Sequence, residues 1–522
     1  MPPDHHPSDT PVDAAPDDGT GPIPEPRRRS DRLWDMVGLG LLAVVLRLPA
    51  FLSPRHLTFD DGVFASSVIA MRDGGVPFRE VFSSQGPLFL PLVYLGDLLG
   101  GRTSDAPRVL AVSAGAATTV GLYWCARQIS GRASAVLAGM LAATSGSLMW
   151  VTGPLAADGP ALAFAVFAFG VALSMQRTRS PLRVALLGVL VGATLSTKSL
   201  EAPVLLPVGM VLLAPLLPWR ALPAEERSRL PVGRTLGESA IAAAAAAVVY
   251  LVVTLPFGFA AVWDQSFRYR ADAATDREPL GNAAKIFSTL WDRDLVLLAF
   301  VALCVAWWLR RRLTRPPTPR EGQPDPVGPP ASPPAQPTLV LVWLVTTWVW
   351  LVLMVSPLWR PHVSAMIPPL VLAVAVWRPP VRVALVAGVL CLPLLWIQLD
   401  GLLRPGDYRG AEAEVVTALR QLPEGAWVLS DEPGLAWRAG RRTTDDLVDP
   451  SMLRVQQGRY TEDSLVRAAT DPRVCAVVVR SPERFGSFPG LPSRLEDEGF
   501  DVVARDGPHG VLYVRATCEP EA

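Results

Sequence analysis

Lysine is nearly missing from this 522-residue chain: among its 48 Lys and Arg, only Lys198 and Lys285 are lysines. Charge of any kind is scarce, at 18% of residues against about 25% in a soluble protein. The formal net charge is zero, so the basic surface that a nucleic-acid binder needs is absent. Five cysteines, at 125, 304, 391, 475 and 518, form no CxxC and no Cys/His cluster, which argues against a zinc site. Cys475 and Cys518 fall in the polar C-terminal part and could pair if that part is exported. Residues 1–26 are rich in Pro and Asp and lack the apolar core of a signal peptide. They predict a disordered tail over 1–32. No internal repeat is apparent.

Apolar sequence is what the chain has in abundance. Half the residues are hydrophobic, and they come in long unbroken blocks. That pattern predicts a polytopic α-helical membrane protein. Eleven spans are expected, at 33–53, 106–126, 134–152, 160–176, 182–198, 201–217, 237–256, 294–309, 338–356, 361–377 and 381–399. Residues 86–101 are apolar too, but the segment is short, carries Pro91 and Asp97, and reads as a juxtamembrane or re-entrant element.

Charge in the loops supports that count. With the N-terminus in the cytoplasm, eleven spans put every compact Arg cluster between spans on one face, as the positive-inside bias requires. These clusters are 27–32, 126–132, 176–183, 220–234, 310–315 and 378–382. The Pro-rich stretch 316–337, within a cytoplasmic segment 310–337, reads as an extended linker. The same count puts the first loop (54–105), the turn 152–160, the loop 257–293 and the turn 356–362 outside. Residues 401–522 also fall outside. From about Tyr408 the pattern becomes that of an α/β unit, with helices at 411–422 and 460–470 and strands at 426–430, 474–480 and 510–516.

The first external loop opens with adjacent acids, Asp60 and Asp61, at the membrane's edge, where charge is costly. Taken alone they read as caps for a helix starting near Val63. A partly desolvated carboxylate beside an acidic neighbour is also a suitable general base for an acceptor hydroxyl. Asp158, between two spans, reads first as a cap for the helix opened by Gly159 and Pro160. Topology then places it on the same face as Asp60. Arg268, Tyr269 and Arg270 form a basic and aromatic cluster where the positive-inside bias disfavours arginine. They suit either an anionic ligand or ordinary contacts to lipid headgroups and to Asp264 and Asp272. Arg360 and His362 present the same choice. Lys198 sits at a span's end, where snorkelling is its simplest role.

These residues resemble the GT-C-fold glycosyltransferases, which include protein O-mannosyltransferases, lipid A aminoarabinose transferases and the bacterial family 39-like group. "FDDG" follows the first span. "AMRDGGVPFRE", ending at Glu80, and Gln85-Gly86-Pro87 come next. "AADGP", "LGVLVGATLSTKSLEAP" and "FAAVWDQSFRYRADA" then follow in the family's order. The resemblance implies a polytopic α-helical GT-C catalytic domain over 33–400 carrying an exported α/β domain. It further implies transfer of a sugar from a polyprenyl-phosphate donor to an acceptor outside the cytoplasmic membrane, with inversion at the anomeric carbon.

By the same likeness, Asp60 would be the base, with Asp61 and Asp158 in support. Arginines near the interface would hold the lipid phosphate, with Glu80, Gln85, Lys198, Tyr269 and His362 as further substrate-binding candidates. The sequence departs from the family in having Asp at 61, where Glu is frequent, and Gln85, where some members have a lipid-binding lysine. No cofactor is required by this scheme, although adjacent carboxylates could hold Mg²⁺ or Mn²⁺. The competing classes are a lipid or sugar transporter, which would be expected to show repeats and mid-span charges, and a non-catalytic envelope accessory protein.

Overall fold

The computed structural model describes residues 25–216, 232–273, 278–314, 335–506 and 510–518. Residues 1–24 of the expected tail, most of the 220–234 cluster and residues 315–334 of the expected linker lie outside them. Helical segments cover the eleven expected spans, but 134–152 is two helices meeting at a bend, and 182–198 and 201–217 are short apolar helices, Pro181–Thr197 and Ser199–Leu213. The first starts at Glu25 rather than 33, because its apolar face is preceded by residues that continue the same helix. Among the described residues, seven helices are long and apolar enough to cross a membrane, or eight if one bent pair counts as a single span. Two of them, Val232–Thr254 and Val381–Leu403, are hydrophobic yet almost unburied, as expected for helices whose outer faces meet lipid. The chain is a multi-pass membrane protein.

The bend in that pair has a definite cause. Arg132–Thr144 and Gly146–Thr152 meet at 57°, and Ser145 between them bonds the Leu148 amide as the second helix's N-cap. Asp294 completes the cap by accepting from Ser145 Oγ at 2.5 Å and from the Ser147 amide. Asp294 itself sits at a non-helical kink (φ −134°) in the long helix Pro279–Thr314. One carboxylate therefore fixes two helix breaks.

The C-terminal unit is a five-stranded sheet of β1 (Trp427–Ser430), β2 (Arg442–Thr443), β3 (Val474–Val479), β4 (Phe500–Asp506) and β5 (Gly510–Arg515). The order is β2-β1-β3-β5-β4, parallel through β2-β1-β3 and antiparallel beyond. Cys475 on β3 and Cys518 after β5 form a disulfide. It closes a 43-residue separation, so Cys475→Ser is expected to cost the unit about 2–4 kcal/mol. A wild-type melting curve unchanged by dithiothreitol would contradict this.

The unit does not hang free. The carboxyl end of β1 runs into the short helix Pro433–Arg438, which packs on the first-loop helix Phe59–Arg72. Gly62 and Gly434 make this approach possible. A Cβ on Gly62 would lie 2.4 Å from the Gly434 nitrogen, and one on Gly434 would lie 2.3 Å from His56. Polar links rim the contact: Ser66 Oγ donates to the Pro433 carbonyl, His56 Nδ1 meets the Tyr408 hydroxyl at 2.6 Å, and Arg438 pairs with Asp105 at 2.6 Å. Val448 enters the apolar cluster formed by Val63, Phe64, Val68, Phe89 and Leu90. Gly62→Ala is expected to cost about 1–3 kcal/mol by overpacking and to expose the segment around residues 404–410 to protease. Unchanged cleavage would show that the contact tolerates a methyl group.

Candidate active site

Thr58 caps the helix Phe59–Arg72, its Oγ1 accepting from the Asp61 amide at 3.2 Å. The helix thus starts four residues earlier than the sequence suggests, and Asp60 and Asp61 lie in its first turn rather than capping it. Negative charge is favoured there by the helix dipole, but the two carboxylates have different fates.

Asp61 is fully buried and fully engaged. Arg108 donates to it from both Nε and Nη2, and the Leu155 and Leu57 amides add bonds of 2.9 and 3.0 Å. Burial alone would raise its pKa. The Arg108 guanidinium and those amides outweigh burial and hold it below the usual carboxylate range. Arg108 also donates to the carbonyls of Ala50, Phe51, Ser53 and Arg55, closing the end of the first helix. Asp61 is therefore a joint between the first loop, the turn 153–157 and that helix.

Asp60 has no hydrogen bond or ion pair among the described residues, and it is only partly exposed. Burial pushes its pKa up to about 6. Lys198 and Arg270 oppose the rise, while the negative charges of Asp158 and Asp449 add to it. Adjacent residues in one turn thus supply an inert anchor and a free base, a difference set by their surroundings.

Asp158 begins the helix Asp158–Met175, and Ala157 occupies the cap position instead. Its Oδ2 pairs with Lys198 Nζ at 2.7 Å, while its buried Oδ1 has no partner. Lys198 is buried with it and does not snorkel. Lys198 is the residue at which the helix Pro181–Thr197 ends. The helix end is gripped by the first loop: Gly86 and Leu88 donate to the carbonyls of Thr197 and Ser196 at 3.2 and 2.9 Å. A Cβ on Gly86 would stand 2.2 Å from the Ser196 oxygen, which is why glycine sits in "QGP".

A cavity of about 430 Å³ opens beside this grip. Its polar lining includes Gln85, Lys198, Arg270 and His362 together with Ser84 and Ser266, with Trp350, Trp359 and Leu453 on apolar walls. Arg270 donates its Nε–H to the Ser84 carbonyl at 3.1 Å and pairs with no carboxylate among the described residues. Ser266 Oγ donates to the Gln85 carbonyl at 2.6 Å. His362 is buried, its Nδ1 accepting from the Trp359 amide. Three of the four segments expected on the outer face, the first loop, 257–293 and 356–362, line the cavity, and the turn 152–160 reaches it through the Asp158–Lys198 pair.

Asp60, Asp61 and Asp158 are outside the cavity lining, and so are several other candidates. Glu80 is exposed and bonds the Val76 amide of its own turn at 2.7 Å. Arg268 is exposed and lies 3.8 Å from both Asp264 and Asp272. Tyr269 is buried, but its hydroxyl meets Ser451 Oγ at 3.0 Å and its carbonyl accepts from Gln457, so it joins the α/β unit to the helical part. Arg360 is exposed and pairs with Asp292 at 3.2 Å. Among the described residues no three His, Cys, Asp or Glu side chains are grouped as metal ligands. Asp61 is committed to Arg108, so the adjacent acids do not form the open pair that a shared Mg²⁺ or Mn²⁺ would need.

The sequence reading missed Arg108, Ser84, Glu201 and Asp449. Arg108 carries a legible signal, a lone arginine heading an apolar span on the expected outer face. Glu201 is buried in the field of Asp158 and Lys198. Asp449 lies 389 positions beyond Asp60 in the chain, and only the fold unites them.

The sequence pattern of the dolichyl-phosphate-mannose-protein mannosyltransferase family matches residues 84–223. No curated protein sequence matches the chain. Among solved structures, the ArnT protein of Cupriavidus metallidurans bound to undecaprenyl phosphate is similar with a TM-score of 0.57 at 15% identity, over 93% of this chain and 99% of that one. Its apo form gives the same TM-score at 14% identity, over 93% and 98% of the two chains. The Archaeoglobus fulgidus oligosaccharyltransferase, solved with zinc and sulfate, is similar with a TM-score of 0.52 at 13% identity, over 92% of this chain and 73% of that one. The chain has the GT-C fold of membrane glycosyltransferases.

Proposed function

We propose that this protein is an inverting glycosyltransferase that moves a sugar from a polyprenyl-phosphate donor to a hydroxyl-bearing acceptor. The observation that carries this is a carboxylate without a hydrogen-bond or ion-pair partner among the described residues, Asp60, in the electrostatic field of Lys198 and Arg270, the cations that line the neighbouring cavity. Asp60 takes the proton from the acceptor hydroxyl as its oxygen attacks the anomeric carbon. The bond from that carbon to the phosphate oxygen breaks, and the electron pair leaves on polyprenyl phosphate. Arg270 and Lys198 stabilise the charge that develops on the leaving phosphate. Asp158 holds Lys198 in place, and Asp61 holds the helix turn that presents Asp60. Gln85 and His362 line the bound sugar's surroundings.

The undecaprenyl phosphate held by the ArnT relative supports the lipid donor, and the family pattern over 84–223 supports sugar transfer. The membrane is the cytoplasmic membrane of the cell, with the N-terminus inside and residues 401–522 outside. The Cys475–Cys518 disulfide supports that side, since such bonds persist in oxidising compartments. The domain limits are 33–400 for the catalytic part and 401–522 for the α/β unit.

Product stereochemistry tests the mechanism. If Asp60 acts as a base and the acceptor oxygen attacks directly, the reaction is a single displacement, so NMR of the product should show the anomeric configuration opposite to the donor's. Retention would require a glycosyl-enzyme intermediate and contradict the role given to Asp60.

A further inference from the structure

The α/β unit does more than sit above the helices, because it adds a wall to the site. Leu453 lines the cavity; Asp449, four residues earlier, is outside the lining but is buried at 5% exposure against Ser84, which lines it. The Asp449 carboxylate is poorly satisfied. Oδ1 accepts from the Ser451 amide at 3.2 Å, and Oδ2 has only a long 3.4 Å contact from Ser84 Oγ. The groups beside it are short of partners too. Gln85 lines the cavity with its Oε1 unbonded and its Nε2 no closer than 3.4 Å to Ser84 Oγ, and the buried Ser83 Oγ has no partner. Buried polar groups are normally paired, so a cluster with spare capacity at a cavity is shaped for a polar ligand.

The chemistry of the cluster selects that ligand. A carboxylate, an amide and hydroxyls suit ligand hydroxyl groups, and the carboxylate repels phosphate. These groups adjoin the cations, since Arg270 donates to the Ser84 carbonyl and Ser84, Gln85, Lys198 and Arg270 line one cavity, but they offer hydroxyl, amide and carboxylate contacts of their own. Asp449 also lies close enough to act electrostatically on Asp60, the base of the reading above on which this inference rests. The charged groups that act on Asp60 are Lys198, Asp158, Asp449 and Arg270, so a ligand hydroxyl held near Asp449 is held within the electrostatic reach of the base.

The structure assigns Asp449, with Ser84 and Gln85, to a subsite that binds a non-reacting hydroxyl of the acceptor. The acceptor thus carries at least two hydroxyls, one to react and one to be held. That describes a sugar or another polyol and not a serine or threonine side chain.

Binding to the full-length protein in nanodiscs, without donor, tests the assignment separately from turnover. The probes are methyl α-mannopyranoside, methyl β-glucopyranoside, methyl α-arabinofuranoside and N-acetylserinamide, each titrated by saturation-transfer NMR. At least one glycoside should bind wild type, and Asp449→Ala should weaken it about tenfold, the range for a hydrogen bond to a charged group. Asp449→Asn, which keeps an acceptor for the Ser451 amide, should lose less and melt as wild type does. Equal glycoside affinity in wild type and a folded Asp449→Asn or Asp449→Ala variant overturns the subsite. So does binding of N-acetylserinamide alone, or no glycoside binding by wild type. Failure of wild type to transfer sugar from any lipid donor would instead overturn the glycosyl-transfer reading, whatever the binding result.

Discussion

Asp60→Asn should abolish sugar transfer by a factor of about 10² to 10⁴, the usual worth of a positioned general base, while leaving the protein at least as stable. The stability half follows from linkage. A carboxyl whose pKa is raised in the folded state, here from 3.8 to about 6, binds a proton more readily folded than unfolded. Its contribution to stability is therefore greatest below the unfolded pKa and is lost as pH rises through about 6. At neutral pH the charged side chain is a cost, which asparagine removes. Activity runs the other way, since the base must be deprotonated: kcat/KM should fall as pH drops through about 6. A folded Asp60→Asn protein that transfers at the wild-type rate, or melts well below wild type, would contradict the assignment. Substitutions of Asp61 should look different, with lower stability and activity together.

Arg108→Ala should be the most damaging single change to the fold. It strands the buried Asp61 carboxylate and the carbonyls of Ala50, Phe51, Ser53 and Arg55 that close the first helix. Removing one partner of a buried ion pair costs about 3–5 kcal/mol. Arg108 also lies 5.0 Å from the Trp437 ring of the α/β unit, so docking should loosen as well. Lysine should not rescue it, because one ammonium cannot reproduce a bidentate fork and four carbonyl bonds. The double change Arg108→Met with Asp61→Asn should recover part of the loss, since it removes the stranded charge. Thermal melting of the detergent-solubilised variants reads all three. An Arg108→Ala protein melting within a degree of wild type would show that the joint does not bear on stability.

Much of this architecture can be read from one sequence because a membrane imposes a simple rule. Apolar runs of helical length announce themselves: helical segments cover the eleven expected at 33–399, and seven helices among the described residues are long and apolar enough to cross a membrane. The weaker elements were hidden for local reasons. β4 has a shift in register between Val502 and Ala504 that spoils strict alternation, and β2 is only two residues long. The bend at Ser145 depends on Asp294, which is 149 positions away. At the site, "FDDG" and the acid in "AADGP" were legible as chemistry, but the split between Asp60 and Asp61 was not. Which carboxylate stays free depends on where Arg108 reaches, and no spacing rule encodes that. Arg268 and Arg270 looked equivalent in the sequence. They lie two positions apart on a helical stretch, so one turns to solvent and the other to the cavity.

The decisive experiment supplies purified protein in liposomes with a panel of labelled polyprenyl-phosphate sugars and, separately, the matching nucleotide sugars, with polyol acceptors and with or without EDTA. At least one lipid-linked donor should yield a glycosylated product and free polyprenyl phosphate in equal amounts, and the nucleotide sugars should yield none. Transfer from nucleotide sugars alone, or no transfer from any lipid donor, would contradict the account.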